Sequence, residues 1–356
     1  MSEVKCQDPN MIRPEGIDKP DVKFYSPLDE PFTLYGLIHD DNRYLRMPRA
    51  VAETVSEGVR NQSQHTSGGR VCFKTDSPYI ALSCKCYFYW ESSIIPLSGT
   101  HGFEVHIRDG KAHKFCGLFA PSYKNRNSFS ATVELPDDKK EREVIIYFPT
   151  YTGVSEVYIG LSENASLSSW DGYTYKKPIV FYGSSITHGV ASSMPSKTYV
   201  TTLSRAFDSD FINLGMAGHC KAESEMIDYI ASLPMSMLVY DYDHNAPTPE
   251  FLKQTHYAGY LRFRESCPDT PVILGARPNF DGSRQEKESP IRREIILKTY
   301  EKALAAGDKN IAFADGEEVY STFCKNGFAA DNVHPNDLGF FHMAEVYAPY
   351  VEKYLK

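Results

Sequence analysis

From Lys177 to the C-terminus the chain alternates between two hydrophobic periods. Strand-like apolar runs fall at Ile179–Tyr182, Phe211–Leu214, Met237–Tyr242, Pro271–Leu274 and Asn310–Ala314. Helix-like segments separate and follow them, at about Lys197–Phe207, Glu223–Ser232, Pro249–Ser266, Glu286–Ala306 and Leu338–Leu355. Short strands that are apolar on both faces, each followed by a helix that can cross over, build a parallel sheet with helices on both sides. In such a sheet ligands bind outside the carboxyl ends of the strands. The residues after each strand are therefore where chemistry is expected.

The preceding half reads differently. Between about Lys23 and Ser162, runs such as Val71–Asp76 and Tyr79–Trp90 are rich in strand formers, with Asp76-Ser-Pro78 as a turn between them. Two alternating runs flank Asp109-Gly110, a dipeptide suited to the positive φ angles of a hairpin turn. Glu143–Pro149 and Glu156–Leu161 add two short strands, and no convincing helix interrupts the series. This is the pattern of an all-β sandwich or jelly roll. At 356 residues two domains are expected: a β-sandwich over 1–175 and a flavodoxin-like α/β domain with a five-stranded parallel sheet over 176–356. The polar stretch Ser162–Lys177, with Trp170, Tyr173 and Tyr175, is the expected join. The other aromatic residues of the first half are read as sandwich packing rather than as platforms for sugar rings.

Hydrophobic content of 42% and charged content of 24% are those of a soluble globular protein. A formal charge of −8 argues against nucleic acid as a partner, and the DDKKEREV run at Asp137–Val144 alternates in sign as a solvated turn does. No apolar run is long enough to span a membrane. The eight cysteines show no metal spacing, and Cys84-x-Cys86 is a poor disulfide on one strand. Free thiols, together with an N-terminus lacking an apolar core, lead to the expectation of a reducing, cytoplasmic setting.

The strand ends hold the parts of an acyl-transfer site. The first ends in Gly183-Ser184-Ser185, the second in Asn213-Leu-Gly-Met-Ala-Gly218-His219, the third in Asp241-Tyr-Asp-His244-Asn245 and the fourth in Gly275-Ala-Arg277-Pro-Asn279. Asp331-Asn-Val-His334-Pro335 comes after the fifth, just before the last helix. A serine hydroxyl needs an adjacent base to act as a nucleophile. Histidine has the pKa for that work, and a carboxylate on its far nitrogen fixes the tautomer. Asp331 and His334 are close enough in sequence for one bend to join them. Backbone N–H groups of Ser185 and Gly218 and the amide of Asn245 are the candidate oxyanion donors.

Gly183-Ser-Ser-Ile-Thr-x-Gly189, Asn213-x-Gly-x-x-Gly218, Asn245 and Asp331-x-x-His334-Pro335 together resemble the SGNH hydrolases, also called the GDSL family. The four blocks fall in the family's order across roughly the last 180 residues. The resemblance implies Ser185 as nucleophile, His334 as base, Asp331 as its orienting acid, and Ser185, Gly218 and Asn245 as the oxyanion hole. Gly102-Phe-Glu-Val-His106, with Leu34-Tyr-Gly36 upstream, is similar to the G-x-D-L-Y signature of the β-sandwich that precedes some of these enzymes. One departure is plain: most members carry Asp before the nucleophile, and here it is Ser184. The α/β-hydrolase elbow G-x-S-x-G is absent at this serine.

The expected activity is hydrolysis of small acyl esters, acetyl foremost, on a carbohydrate, as in two-domain carbohydrate acetylesterases. Acyl transfer by the same triad, and an inactive carbohydrate-binding relative, are the alternatives. Ser184, His188, His219, His244 and Arg277 are candidate substrate contacts. The three histidines lack the short local pairing of zinc sites, so no metal or other cofactor is expected. The expected partner is a small-molecule or oligosaccharide ester, with homo-oligomers left open.

Overall fold

The structure, a computed structural model, describes residues 16–110, 112–278, 287–319, 325–331 and 333–355. Asn279 and the expected helix start at Glu286 lie outside them.

Two six-stranded antiparallel sheets form the N-terminal sandwich. In one, Thr152–Ser162 and Tyr79–Tyr89 are the long central pair; in the other, Arg70–Thr75, Arg142–Tyr147 and Phe103–Asp109 lie side by side. Their facing residues, among them Phe73, Leu82, Val105, Val144 and Ile159, are buried in one core. The alternation that placed these side chains on one face is the period of the pleat. Gly110 has φ +60°, as its hairpin turn requires. Cys84 and Cys86 both point into this core as free thiols.

Two short helices, Arg49–Val55 and Glu57–Gln62, interrupt the β pattern where no helix was expected. Each has seven residues or fewer, too short for periodicity to register. Ser56 caps the second by accepting the Val59 N–H. Ala52 and Val59 pack not into the sandwich but into the apolar core of the parallel sheet.

The C-terminal sheet has strands in the order Ser209–Gly215, Tyr175–Gly183, Met237–Asp241, Val272–Gly275, Ile311–Ala314, all parallel. This flavodoxin-like order reverses direction beside Tyr175–Gly183, so its carboxyl end opens a crevice at the switch point. Apolar cores fill both faces of the sheet under flanking helices.

The sandwich and the sheet share a dense polar seam. Glu104, in the Gly102–His106 signature, is fully buried and accepts both the N–H and the hydroxyl of Ser196. Arg108 joins Glu143 to Asp208, and Arg70 joins Tyr173 to Asp210. Arg46 reaches the Gly215 carbonyl at 2.5 Å. Trp170 and Tyr173 of the expected join pack against Cys72, Ile145 and Tyr147, so that stretch lies on the sandwich.

Candidate active site

Gly183 ends the strand Tyr175–Gly183, and Ser185 opens the short helix Ser185–His188. The turn is tight enough to require its small residues. A Cβ on Gly183 would lie 2.0 Å from Thr187 Oγ1 and 2.6 Å from the Asp241 carbonyl. A Cβ on Gly215 would lie 2.3 Å from the His188 nitrogen. Ser184 is buried, and its hydroxyl caps the helix by accepting the Ile186 N–H. Gly189, at φ +107°, closes the helix in the left-handed region and donates to the Ser185 carbonyl.

The Ser185 hydroxyl lies 2.9 Å from His334 Nε2, and His334 Nδ1 lies 2.9 Å from Asp331 Oδ2. Asp331 Oδ1 accepts the backbone N–H groups of Val333 and His334. One carboxylate oxygen therefore shapes the turn and the other holds the ring. With Nδ1–H given to Asp331, Nε2 is the bare acceptor for the serine proton. Partial burial works against the Asp331 charge, but the bonds from the His334 ring and the two N–H groups outweigh it and hold the carboxyl below its ordinary range.

The loop carrying His334 is fastened on both sides. Ala330 donates to the His334 carbonyl, and Asn336 caps the helix Asp337–Tyr354 by accepting the N–H groups of Leu338 and Gly339. Asp337 then accepts the N–H and the hydroxyl of Ser193, in the loop that follows the serine helix. The sequence reading missed this clamp; an Asp in the first turn of a helix reads as ordinary helix chemistry.

The expected oxyanion donors divide. The Ser185 N–H is the first of its helix and has no acceptor within it. Asn245 Nδ2 donates one hydrogen to the Met216 carbonyl, and its other hydrogen has no acceptor among the described residues. The Gly218 N–H, by contrast, donates to Asn245 Oδ1 at 2.9 Å, so two of the three donors bond each other. Gly218 orients the amide of Asn245 rather than standing free beside it.

The five expected substrate contacts do not share one set of surroundings. Ser184 is spent on the helix cap. His188 is fully buried, stacks on Tyr151 at 3.9 Å, and bonds the Thr150 carbonyl through Nε2. Burial, aided by Arg46 and His65, keeps its ring neutral. Arg277 is buried and pairs with Asp243 through Nε at 3.0 Å and Nη2 at 2.9 Å. Arg292 approaches the same carboxylate and also binds the Ala246 carbonyl. This buried triad braces the turn Asp243–Asn245 that presents Asn245. His219 is half-buried against the helix Glu57–Gln62, where a Cβ on Gly58 would lie 1.9 Å from its Nδ1. His244 is half-buried in the turn beside Asn245.

Beneath the serine helix sits Asp241, buried at the end of its strand and paired in register with Gly183. Tyr199 donates to it at 3.1 Å, and Thr187 lies at 3.5 Å. Burial pushes its carboxyl up to about 7. Among the described residues no three metal-ligating side chains cluster, and no helix is long and apolar enough to cross a membrane.

Comparison with known proteins agrees with this architecture. A family model, the GDSL-like lipase/acylhydrolase family, matches residues 176–352. A second, the GxDLY domain at the N-terminus of SGNH-hydrolase-type esterases, matches residues 22–167. No protein of curated function matches. Among solved structures, a candidate GDSL-like lipase from Bacteroides ovatus is 24% identical with a TM-score of 0.85, covering 94% of this chain and 98% of its own. A salicylyl-acyltransferase from a tetracycline biosynthetic pathway is 21% identical with a TM-score of 0.76 over the same shares. An acetyl xylan esterase from the rumen bacterium Butyrivibrio proteoclasticus is 12% identical with a TM-score of 0.60, over 93% and 98%. With one family model on each half, the chain belongs to the GDSL-like lipase/acylhydrolase family and carries the N-terminal domain of its SGNH-type esterases.

Proposed function

We propose that the protein is a serine esterase that hydrolyses small acyl esters, acetyl foremost, carried on a carbohydrate. The observation that carries this reading is the unbroken path Ser185 Oγ–His334 Nε2 and His334 Nδ1–Asp331 Oδ2, with both separations at 2.9 Å. His334 takes the Ser185 proton as Oγ bonds to the acyl carbon. The oxyanion that forms is met by the Ser185 N–H and the remaining Nδ2–H of Asn245. Each such donor contributes roughly 3–4 kcal/mol to the transition state. Collapse expels the alcohol oxygen, which leaves with the proton from His334. Water then gives a proton to His334 and attacks the acyl-enzyme; the carboxylic acid departs and Ser185 recovers its proton.

Acetyl and carbohydrate are supported by the fold shared with an acetyl xylan esterase and with a family two carbohydrate esterase from Clostridium thermocellum in complex with cellohexaose, at 12% identity and a TM-score of 0.59. A reducing, cytoplasmic setting suits the free thiols of Cys84, Cys86 and Cys220. The test is release of acetate from acetylated saccharides and of p-nitrophenol from p-nitrophenyl acetate. Wild type should turn over both, and Ser185→Ala neither; equal rates in the two proteins would end the esterase reading.

Acyl transfer is the second reading, favoured by the likeness to the salicylyl-acyltransferase. It differs only in which hydroxyl attacks the acyl-enzyme. Adding an alcohol acceptor and measuring ester against free acid separates the two.

A further inference from the structure

Of the two tryptophans in the chain, Trp170 is buried in the sandwich and Trp90 is 46% exposed. Trp90 begins the loop that runs from the strand Tyr79–Tyr89 to the short helix Leu97–Thr100. That loop and the one bearing Tyr123 and Arg126 enclose a cleft of about 610 Å³. Tyr123 is 75% exposed. Two large aromatic faces are left open on one cleft, where rings of this size are ordinarily buried.

One wall of the cleft packs against residues that flank the serine helix and Gly218 in sequence. Ile94 and Ile95 pack with Val190 and Ala217. Val190 donates its N–H to the Ser185 carbonyl, and Ala217 precedes Gly218. Ser98 donates to the carbonyl of Ser193 at 2.7 Å, and Ser193 is the residue clamped by Asp337. The sandwich loop thus packs against the segments that follow the Ser185 helix and precede Gly218, and meets Ser193, which Asp337 holds.

The chemistry of the walls selects the occupant. Glu91 and Arg126 pair at 2.9 Å, so the charges cancel and neither an anion nor a cation is favoured. Arg126 also lies over the Tyr123 ring at 5.6 Å. His101 lines the same cleft and is 1% exposed. Its Nδ1 meets Thr100 Oγ1, while the buried Nε2 has no hydrogen-bond partner among the described residues. Burial, with Arg126 adding to it, pushes this ring down to about 4, so it is neutral and one nitrogen waits for a neutral polar group. An aliphatic chain would desolvate these polar walls without replacing their bonds. A pyranose ring presents an apolar C–H face to an aromatic and a rim of hydroxyls to the rest.

We propose that this cleft is the subsite for the alcohol half of the ester, and that it holds a neutral saccharide with one sugar ring lying on Trp90. The proposal rests on the reading of Ser185 as nucleophile, and it adds where the sugar sits.

The test is calorimetric titration of full-length Ser185→Ala, which cannot turn over, with partially acetylated xylo-oligosaccharides. Ser185→Ala/Trp90→Ala is titrated alongside, and thermal melts verify that both are folded. Saturable binding that weakens roughly tenfold or more on loss of Trp90 is expected. No binding up to the solubility limit, or equal affinity without Trp90, would overturn the proposal. Acetate release by wild type from the same saccharides keeps the two claims apart. Binding through Trp90 without turnover leaves the subsite and removes the esterase; turnover with affinity indifferent to Trp90 does the reverse.

Discussion

Asp337 and Ser193 tie together the loops that carry His334 and follow Ser185: the carboxylate accepts both the backbone N–H and the hydroxyl of Ser193. Asp337 stands three residues beyond His334, and Ser193 lies in the loop that leaves the Ser185 helix. The separation of Ser185 and His334 is thus held by a contact that touches neither. Hydrogen bonds to a charged group contribute about 1.5–3 kcal/mol each. Asp337→Ala should therefore lower kcat at least tenfold with a smaller change in KM. Steady-state kinetics on p-nitrophenyl acetate check this, and Ser193→Ala, which keeps the N–H bond, should lie between the two.

Asp331→Asn should leave the fold intact and remove most of the activity. An asparagine oxygen can still hold the turn, but it cannot hold the His334 tautomer that leaves Nε2 bare. The loss should be roughly three to four orders of magnitude in kcat. Circular dichroism and kcat measured on the same sample decide it; full activity would take Asp331 out of the mechanism.

Asp241 predicts a pH dependence of stability. Its carboxyl is pushed from an ordinary 3.8 up to about 7, first by burial. Between these values the folded chain binds more proton than the unfolded chain, so this group's contribution falls as pH rises. It is complete below about pH 4 and lost above about pH 7. Asp241→Asn, neutral throughout, should show a smaller fall in melting temperature across that window than wild type. Parallel curves would refute the assignment.

Glu104 predicts how the domains are coupled. Glu104→Ala strips the acceptor from the Ser196 N–H and hydroxyl at a buried seam. The expected destabilisation is about 2–3 kcal/mol, read from urea unfolding, and Glu104→Gln should recover part of it. An unchanged midpoint would mean that the signature does not hold the seam.

Much of this architecture is legible in the chain because it is local. Strand–helix alternation after Lys177 reads directly as a parallel sheet, and Asp331 and His334 meet across a single turn. Gly183 is small because Thr187 and Asp241 crowd it, which a βα turn lets one anticipate. What was not legible depends on distant residues. Sequence proximity to Ser185 made His188 and Ser184 look like pocket residues. The fold turns one beneath Tyr151 and spends the other on a helix cap. Arg277 looked available until Asp243, on the neighbouring strand end, claimed it. Trp90 looked like sandwich packing, and its exposure depends on a loop whose course no periodicity reveals. The helices Arg49–Val55 and Glu57–Gln62 are stabilised by the other domain's core, so nothing in their own short period announces them.

The central claim is that His334 makes Ser185 a nucleophile. It is tested most directly by labelling with a fluorophosphonate and mapping the adduct by peptide mass spectrometry. The account predicts a single adduct on Ser185 in wild type and none in His334→Ala. An adduct on another residue, or equal labelling of Ser185 without His334, would contradict it.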